Sequence, residues 1–309
     1  MPKVSVIGAG NVGASTVYYL AEQNLADIVM VDVVEGLPQA KATDFSHGSP
    51  SQDFSVTVVG TNDYAQIADS DVVVHTAGIA RKPGMDRMDL LKTNVGIAQS
   101  AGENVAKYAP NAVVIAVANP LDVIAMAILR STGFPSDRVV GMAGILDSTR
   151  FRYFIAEKLG ALPSDVSAMV LGGHGDTMVP LSGYTTVGGL PLAELLPADE
   201  IKALSDRTRT GGGEIVNYLK TGSAYYAPAA SVAKMVEAVV TDTKVIAPAS
   251  AYLTGQYGYN DIYLGVPVVL GAKGVEKILE LELSSDEKSA LDHSADHVRQ
   301  GVADLDSIG

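Results

Sequence analysis

The 309-residue chain contains no cysteine. Disulfides, thiolate metal sites and cysteine nucleophiles are therefore excluded, no metal centre is expected, and a cytoplasmic setting is the simplest reading. Long hydrophobic runs are missing too. No apolar stretch approaches the roughly 18 residues that cross a bilayer, and a strand-like run opens at residue 3, leaving no expected room for a signal peptide. Positive charge is in deficit, since 22 Lys and Arg against 35 Asp and Glu give a net charge of -13 at pH 7. Such a surface repels nucleic acid and anionic membranes, and would repel an anionic substrate unless the site gathers arginines of its own. The acidic excess reads either as a solubility feature or as adaptation to high salt, where salt screens carboxylate repulsion. Low-complexity linkers and internal repeats are absent, and only five histidines are present.

What is there is apolar and orderly. Hydrophobic residues make up 47% of the chain, which predicts a globular protein with a large core. Short valine- and isoleucine-rich runs recur at 3–8, 27–32, 55–60, 71–78, 111–119 and 138–144. They are nearly continuous in hydrophobicity, as strands buried on both faces of a parallel sheet are. Helical stretches separate most of them, at 11–23, 36–47, 88–108 and 120–132. This alternation predicts a doubly wound, Rossmann-type α/β domain over 1–145. The pattern then changes, and an α+β substrate or catalytic domain is expected over 146–309. Its expected elements are helices at 147–160, 199–219, 228–241 and 284–305, a strand at 166–171, a strand pair in "YTTVGGLPL" and a β meander over 250–274. "TGGGE" (210–214) sets three glycines inside one of those helices, a mark of a kink or of a close backbone contact.

"GAGNVG" leaves the first strand and opens the first helix, with Gly8, Gly10 and Gly13 in G-x-G-x-x-G spacing. Gly8 suits a tight turn, Gly10 a close approach by a pyrophosphate, and Gly13 close helix–strand packing, with the helix N-terminus facing the phosphates. Asn11 of the same turn and Asn94 complete the expected cofactor-binding set, together with Asp32 and Asn119. Asp32 ends the second strand, where a carboxylate accepts hydrogen bonds from ribose hydroxyls and repels a 2′-phosphate, so NAD is favoured over NADP.

After the fourth strand, "RKPGMDR" (81–87) carries Arg81, Lys82 and Arg87 around Pro83–Gly84, at the strand end where such sheets bind ligands. The arginines read as solvated surface charge or as carboxylate-binding groups on a closing loop. Asn119, held extended by Pro120, falls near the place of a nicotinamide or a substrate carbonyl, or merely terminates the strand. Asp147 and Arg150 stand at i, i+3 on a predicted helix. Asp147 serves either as a helix-start partner or as the carboxylate that orients His174, and Arg150 either as its ion-pair partner or as a two-pronged carboxylate clamp. His174 itself lies in "GGHGD", and nothing local decides between a turn residue and a proton donor.

Together, "GAGNVG" with Asp32, "RKPGMDR", "NPLD", "LDSTRFR", "GGHGDTMVP" and "TGSAYYAPA" resemble the lactate/malate dehydrogenase family over essentially the whole chain. The resemblance implies reversible hydride transfer between (S)-malate and NAD, giving oxaloacetate and NADH, as in the tricarboxylic acid cycle. It implies His174 and Asp147 as the proton relay, Arg150 as the arginine that binds the carboxylate beside the reacting carbon, Arg87 as the loop residue that polarises the carbonyl, and Asn119 beside nicotinamide and carbonyl. At the position matching Arg81, lactate enzymes of the family have glutamine and malate enzymes arginine. An unpaired buried carboxylate is costly, so Arg81 points to a small dicarboxylate. Ala224 matches a threonine of the lactate enzymes and leaves more room. "TGGGEIV" and "GSAYYAPAA" look more like the lactate-dehydrogenase-like, homotetrameric malate enzymes. The rivals are a lactate or other 2-hydroxy acid dehydrogenase, which Arg81 disfavours, and a non-catalytic NAD-binding protein, which the full set of Asp147, Arg150 and His174 disfavours. An NAD-dependent glycosidase would need a cysteine.

Overall fold

The computed structural model describes residues 1–79 and 87–308, without the side chain of Arg87. Six of the apolar runs form parallel strands: β1 (Lys3–Ile7), β2 (Asp27–Val31), β3 (Val58–Thr61), β4 (Val72–His75), β5 (Val113–Ala116) and β6 (Val139–Gly141). Between them lie α1 (Asn11–Glu22), α2 (Leu37–Gln52), α3 (Arg87–Tyr108) and α4 (Leu121–Thr132). The strands stand in the order β3-β2-β1-β4-β5-β6. The chain therefore winds outward from β1 on one side and from β4 on the other. Beyond the C-terminal ends of these two neighbours lies the switch point, where doubly wound sheets bind ligands.

After β6 come α5 (Gly144–Leu159), the short strands β7 (Val166–Ser167), β8 (Val170–Leu171), β9 (Val179–Pro180), β10 (Thr186–Val187) and β11 (Leu190–Pro191), and the single turn α6 (Leu192–Leu195). The chain continues through α7 (Ala198–Leu219), α8 (Tyr226–Val240), β12 (Val245–Thr254), β13 (Asn260–Gly271), β14 (Gly274–Ile278) and α9 (Ser285–Ile308). The meander β12–β13–β14 does not form a sheet of its own. Ser250 pairs with Gly141, so the meander extends the main sheet to nine strands. Two contacts show how closely the strands approach. A Cβ on Gly141 would lie 2.8 Å from that of Ser250, and a Cβ on Gly265 would lie 2.4 Å from the carbonyl oxygen of Gly172.

Strand alternation sorts the core into two layers. Val4, Val6, Val72, Val74, Val113 and Ile115 pack with Val17 and Leu20 of α1 and Val232 and Val236 of α8. Ile7, Val73, Val114 and Ala116 pack on the other face with Val95 and Ala98 of α3 and Ile124 and Ile128 of α4. A third core, built on Phe151, Phe154 and Ile155 of α5, gathers Val166, Met178, Val187 and Leu204. One expectation is corrected. The run 166–171 is not one strand but β7 and β8, because side chains of α5 intervene: Arg152 Nε donates to the Val166 carbonyl at 2.6 Å, and Ser148 Oγ accepts from the Val170 N–H at 2.9 Å. The three glycines do not break their helix. α7 runs unbroken from Ala198 to Leu219, and a Cβ on Gly211 would make only an ordinary contact, 3.4 Å from Arg150 Cδ, while one on Gly213 would meet nothing within 4 Å. Among the described residues no helix is long and apolar enough to cross a membrane.

Candidate active site

The glycine turn between β1 and α1 is built for close approach. Gly8 has φ +103°, and a Cβ there would lie 2.8 Å from the Ala77 nitrogen. A Cβ on Gly13 would lie 1.9 Å from the Gly8 carbonyl oxygen, so only glycine lets α1 start this near the strand. Gly10 is exposed, and a Cβ placed on it would meet nothing within 4 Å. It caps α1 with no side-chain hydrogen bond, and Asn11 beside it is exposed too. The first N–H groups of a helix have no partner within the helix, so this N-terminus is free to receive an anion. The half-buried Asp32 completes the turn: its Oδ2 accepts from the Ala9 N–H at 2.7 Å and its Oδ1 from the Val34 N–H at 2.9 Å. Lys41, which sequence reasoning missed, donates from Nζ to the Ala9 carbonyl at 2.6 Å and ties α2 to the turn. These residues fit a dinucleotide: glycines where a pyrophosphate passes, an uncapped helix start, and a carboxylate at the end of β2.

A chain of contacts leads from this turn to the histidine. Gly8 lies against Thr76 and Ala77, which follow β4. Beyond them, the Ile79 N–H donates to Asn94 Oδ1 at 2.8 Å, and Asn94 Nδ2 donates to the carbonyls of Ile79 and Asn119 at 3.2 and 2.9 Å. Asn94 is buried, and its amide is engaged by backbone on both sides, so it acts on the crevice by holding the ends of two strands together. Asn119 is exposed, and the Asn119–Pro120 peptide bond is cis. Asp122, in the first turn of α4, then reaches the histidine segment. Its Oδ2 accepts from the His174 N–H at 2.9 Å, and its Oδ1 from Ser250 Oγ at 2.6 Å.

His174 sits in the turn between β8 and β9. Its Nδ1 lies 2.8 Å from Asp147 Oδ2, and Arg150 donates from Nη1 to Asp147 Oδ1 at 3.3 Å. Asp147 and Arg150 both stand on α5, one helical turn apart, and the side chain of Asp147 is 2% exposed against 15% for His174. Burial pushes the His174 imidazole down, but the charge and hydrogen bond of Asp147, aided by the charge of Asp122, outweigh it, and the net shift is upward. Burial pushes Arg150 below its usual range against the pull of Asp147, and its Nε is buried without a partner among the described residues. Burial, with the charge of Asp147 adding to it, raises Asp122 against the hydrogen bonds of Ser250 and His174. Arg81 lies outside the described residues. Arg87 begins α3, with its side chain outside them as well.

The two glycines before His174 are explained by packing. Gly172 has φ +89°, and a Cβ on it would lie 2.7 Å from Ser294 Oγ; one on Gly173 would lie 2.7 Å from Val298 Cγ2 and 3.3 Å from Asp122 Oδ2. Ser294 of α9 also accepts the Gly173 N–H at 2.9 Å. Asp122 and Ser294 are the residues sequence reasoning missed here. Asp122 stood in the quoted "NPLD", and a carboxylate among the apolar residues of a helix start was the available signal; Ser294 left none.

A dinucleotide-type sheet joined to a half that carries a buried carboxylate–histidine pair and an arginine has the build of an NAD-dependent oxidoreductase. The chain belongs to the lactate/malate dehydrogenase family: residues 2–141 match its NAD binding domain and residues 145–306 its alpha/beta C-terminal domain. It is 56% identical to a malate dehydrogenase of Methanosarcina barkeri over 99% of this chain and 100% of that one. It superimposes on the malate dehydrogenase of Picrophilus torridus with a TM-score of 0.97 at 45% identity, covering 99% and 98% of the two chains. A lactate dehydrogenase of Cryptosporidium parvum, solved with lactic acid and NAD, gives a TM-score of 0.95 at 45% identity over the same shares.

Proposed function

We propose that this chain catalyses the reversible NAD-dependent oxidation of (S)-malate to oxaloacetate. The observation that carries the chemistry is the Asp147–His174 pair at 2.8 Å, with Arg150 on the second oxygen of the same carboxylate. When bound, the nicotinamide supplies or accepts the hydride. The residues of the chain do the rest. A carboxylate only accepts, so Asp147 keeps a hydrogen on His174 Nδ1 and leaves Nε2 to exchange a proton with the substrate oxygen. In reduction His174 is the acid; in oxidation the neutral imidazole is the base. Arg150 holds the carboxylate beside the reacting carbon through a paired, charge-assisted contact. Gly8, Gly10, Asn11, Gly13 and Asp32 hold the cofactor's phosphates and adenosine ribose, Asn94 positions the crevice, and Asn119 lies near nicotinamide and carbonyl. Arg87 polarises the carbonyl, and Arg81 pairs with the far carboxylate of the substrate. In this reading residues 1–145 form the dinucleotide-binding domain and 146–309 the catalytic domain, with Arg81, Arg87 and Asn119 reaching the substrate from the first. The malate dehydrogenase relatives at 52–56% identity favour the dicarboxylate over lactate. A homotetramer in the cytoplasm is the setting we assign.

The test is His174→Asn. The variant is expected to bind NADH as the parent does while turnover falls at least ~10²-fold, the contribution of a positioned acid–base group. Near-normal turnover would remove His174 from the mechanism.

A further inference from the structure

Two peptide planes make the turn between β1 and α1, and side chains hold both. In the Gly8–Ala9 plane, Thr76 Oγ1 donates to the Gly8 carbonyl at 3.1 Å and Asp32 Oδ2 accepts the Ala9 N–H at 2.7 Å. These two residues follow β4 and β2, the strands that flank β1. In the Ala9–Gly10 plane the hold comes from a helix instead: Lys41 of α2 donates from Nζ to the Ala9 carbonyl at 2.6 Å. A trans peptide is planar, with its C=O and N–H on opposite sides. The bond that turns the Ala9 carbonyl toward Lys41 therefore sends the Gly10 N–H the other way. Gly10 is exposed and has open space around its Cα, so its backbone can be reached by a ligand.

The helix that delivers Lys41 is itself fixed to the sheet. α2 starts against β3, where a Cβ on Gly60 would lie 2.0 Å from the Pro38 carbonyl oxygen. Gln39 Nε2 donates to Asn62 Oδ1 at 2.6 Å, and Asn62 Nδ2 donates to the carbonyls of Asp32 and Val34 at 2.6 and 3.0 Å. Asn62 thus ties the segment of Asp32 to the first turn of α2, and the two side chains that grip Ala9 are placed together. Lys41 is half-buried, next to Ala42, which is buried. Its ammonium also brings positive charge to a turn read as receiving a pyrophosphate, in a chain whose net charge of -13 repels one.

We infer that Lys41 is a positioning residue for the cofactor, which fixes the Ala9–Gly10 peptide so that the Gly10 N–H is already presented to the pyrophosphate when the dinucleotide arrives. The inference rests on the reading of the glycine turn as the phosphate site. Asp32 and Lys41 then divide the task, one holding the N–H of Ala9 and the other its carbonyl. Without Lys41 this peptide is free to rotate, since glycine accepts backbone angles that other residues do not. Ordering it on binding then costs affinity that a fixed turn keeps.

Two variants test it. Lys41→Met removes the donor and keeps the length of the side chain, whereas Lys41→Arg can still donate to the Ala9 carbonyl. Dissociation constants are measured on the parent and on each variant, for NADH by fluorescence and for ADP-ribose and adenosine by competition against it. ADP-ribose carries the pyrophosphate; adenosine carries only the base and its ribose. Lys41→Met is expected to bind NADH and ADP-ribose ~10-fold more weakly, the low end for a hydrogen bond made by a charged group. Adenosine is expected to bind within about twofold of the parent. Steady-state kinetics are expected to place the loss in KM for NADH and not in kcat, and Lys41→Arg to recover most of the affinity. Parent-like binding of ADP-ribose by Lys41→Met would overturn the inference. So would equal weakening of ADP-ribose and adenosine, the mark of a merely structural role. If Lys41→Met does not fold, Lys41→Gln, uncharged and one bond shorter, carries the same comparison. The parent separates the two readings. ADP-ribose bound no more tightly than adenosine there defeats the glycine turn as the phosphate site. A parent that prefers ADP-ribose, beside a Lys41→Met that keeps the preference whole, defeats only the role of Lys41.

Discussion

His174 and Asp147 show how one residue sets the working range of another. The pKa of His174 is pushed down by burial and carried above its ordinary value by Asp147, with Asp122 contributing. Reduction needs the imidazolium, so it is sustained below that raised value and lost as pH rises through it. Asp147→Asn removes the largest raising influence and leaves burial and the repulsion of Arg150 in place. The descending limb of oxaloacetate reduction is then expected to move toward acid, with the rate at pH 8 down by at least ~10²-fold. A pH–rate profile of kcat/KM checks this, and a limb that stays where the parent has it would contradict the assignment. Spacing at i, i+3 left the roles of Asp147 and Arg150 open and the family resemblance supplied them, because contact between α5 and the β8–β9 turn is a tertiary fact. Asp122 shows the limit of such reading. An acidic residue in a first helical turn is ordinary as a dipole partner, and the donors that give it a task lie 52 and 128 residues away.

At the scale of elements, the strands and helices of the cofactor-binding half were legible because each buried strand is a short β-branched run closed by Gly, Asp or Asn. What periodicity could not show was attachment. "SAYLTGQYGYNDIYLGVPVVLGAKG" carries the alternation of a meander, but the pairing of Ser250 with Gly141 that joins it to the main sheet leaves no local mark. The split of 166–171 had no local mark either, since Arg152 and Ser148 act from a neighbouring helix. One element carries an anomaly. His75 ends β4, fully buried, and neither ring nitrogen has a partner among the described residues. Burial pushes its pKa down to about 4. The unfolded chain, with an ordinary histidine near 6.5, binds the proton first. Stability is therefore whole above that pH, declines as pH falls from 6.5 toward 4, and levels off below, a loss of up to ~3 kcal/mol. His75→Val is expected to flatten that decline and, by removing two unsatisfied polar atoms, to raise stability at neutral pH by about 1–2 kcal/mol. Urea unfolding at a series of pH values checks both, and an unchanged slope between pH 6.5 and 4 would show that His75 is not the group responsible.

For the whole molecule, the governing quantity is the net charge of -13. A homotetramer of such chains brings like charges together, and at ionic strengths below ~0.1 M the repulsion reaches across a subunit contact. Light scattering on the purified protein at low and high salt is expected to give the tetramer at high salt and smaller species at low salt if the acidic surface is a high-salt adaptation. A tetramer indifferent to salt leaves the solubility reading. The same charge repels a doubly negative substrate, which makes the arginines of the site the more important. Arg150 is seen beside Asp147; Arg81, on which the preference for a dicarboxylate turns, lies outside the described residues. The most direct measurement is therefore NADH oxidation by the purified protein with oxaloacetate and with pyruvate, side by side, at low and high salt. The account predicts that kcat/KM for oxaloacetate exceeds that for pyruvate by ~30-fold or more, the least that a desolvated charge pair confers. Equal or better use of pyruvate would contradict it, and would show that Arg81 does not meet the substrate.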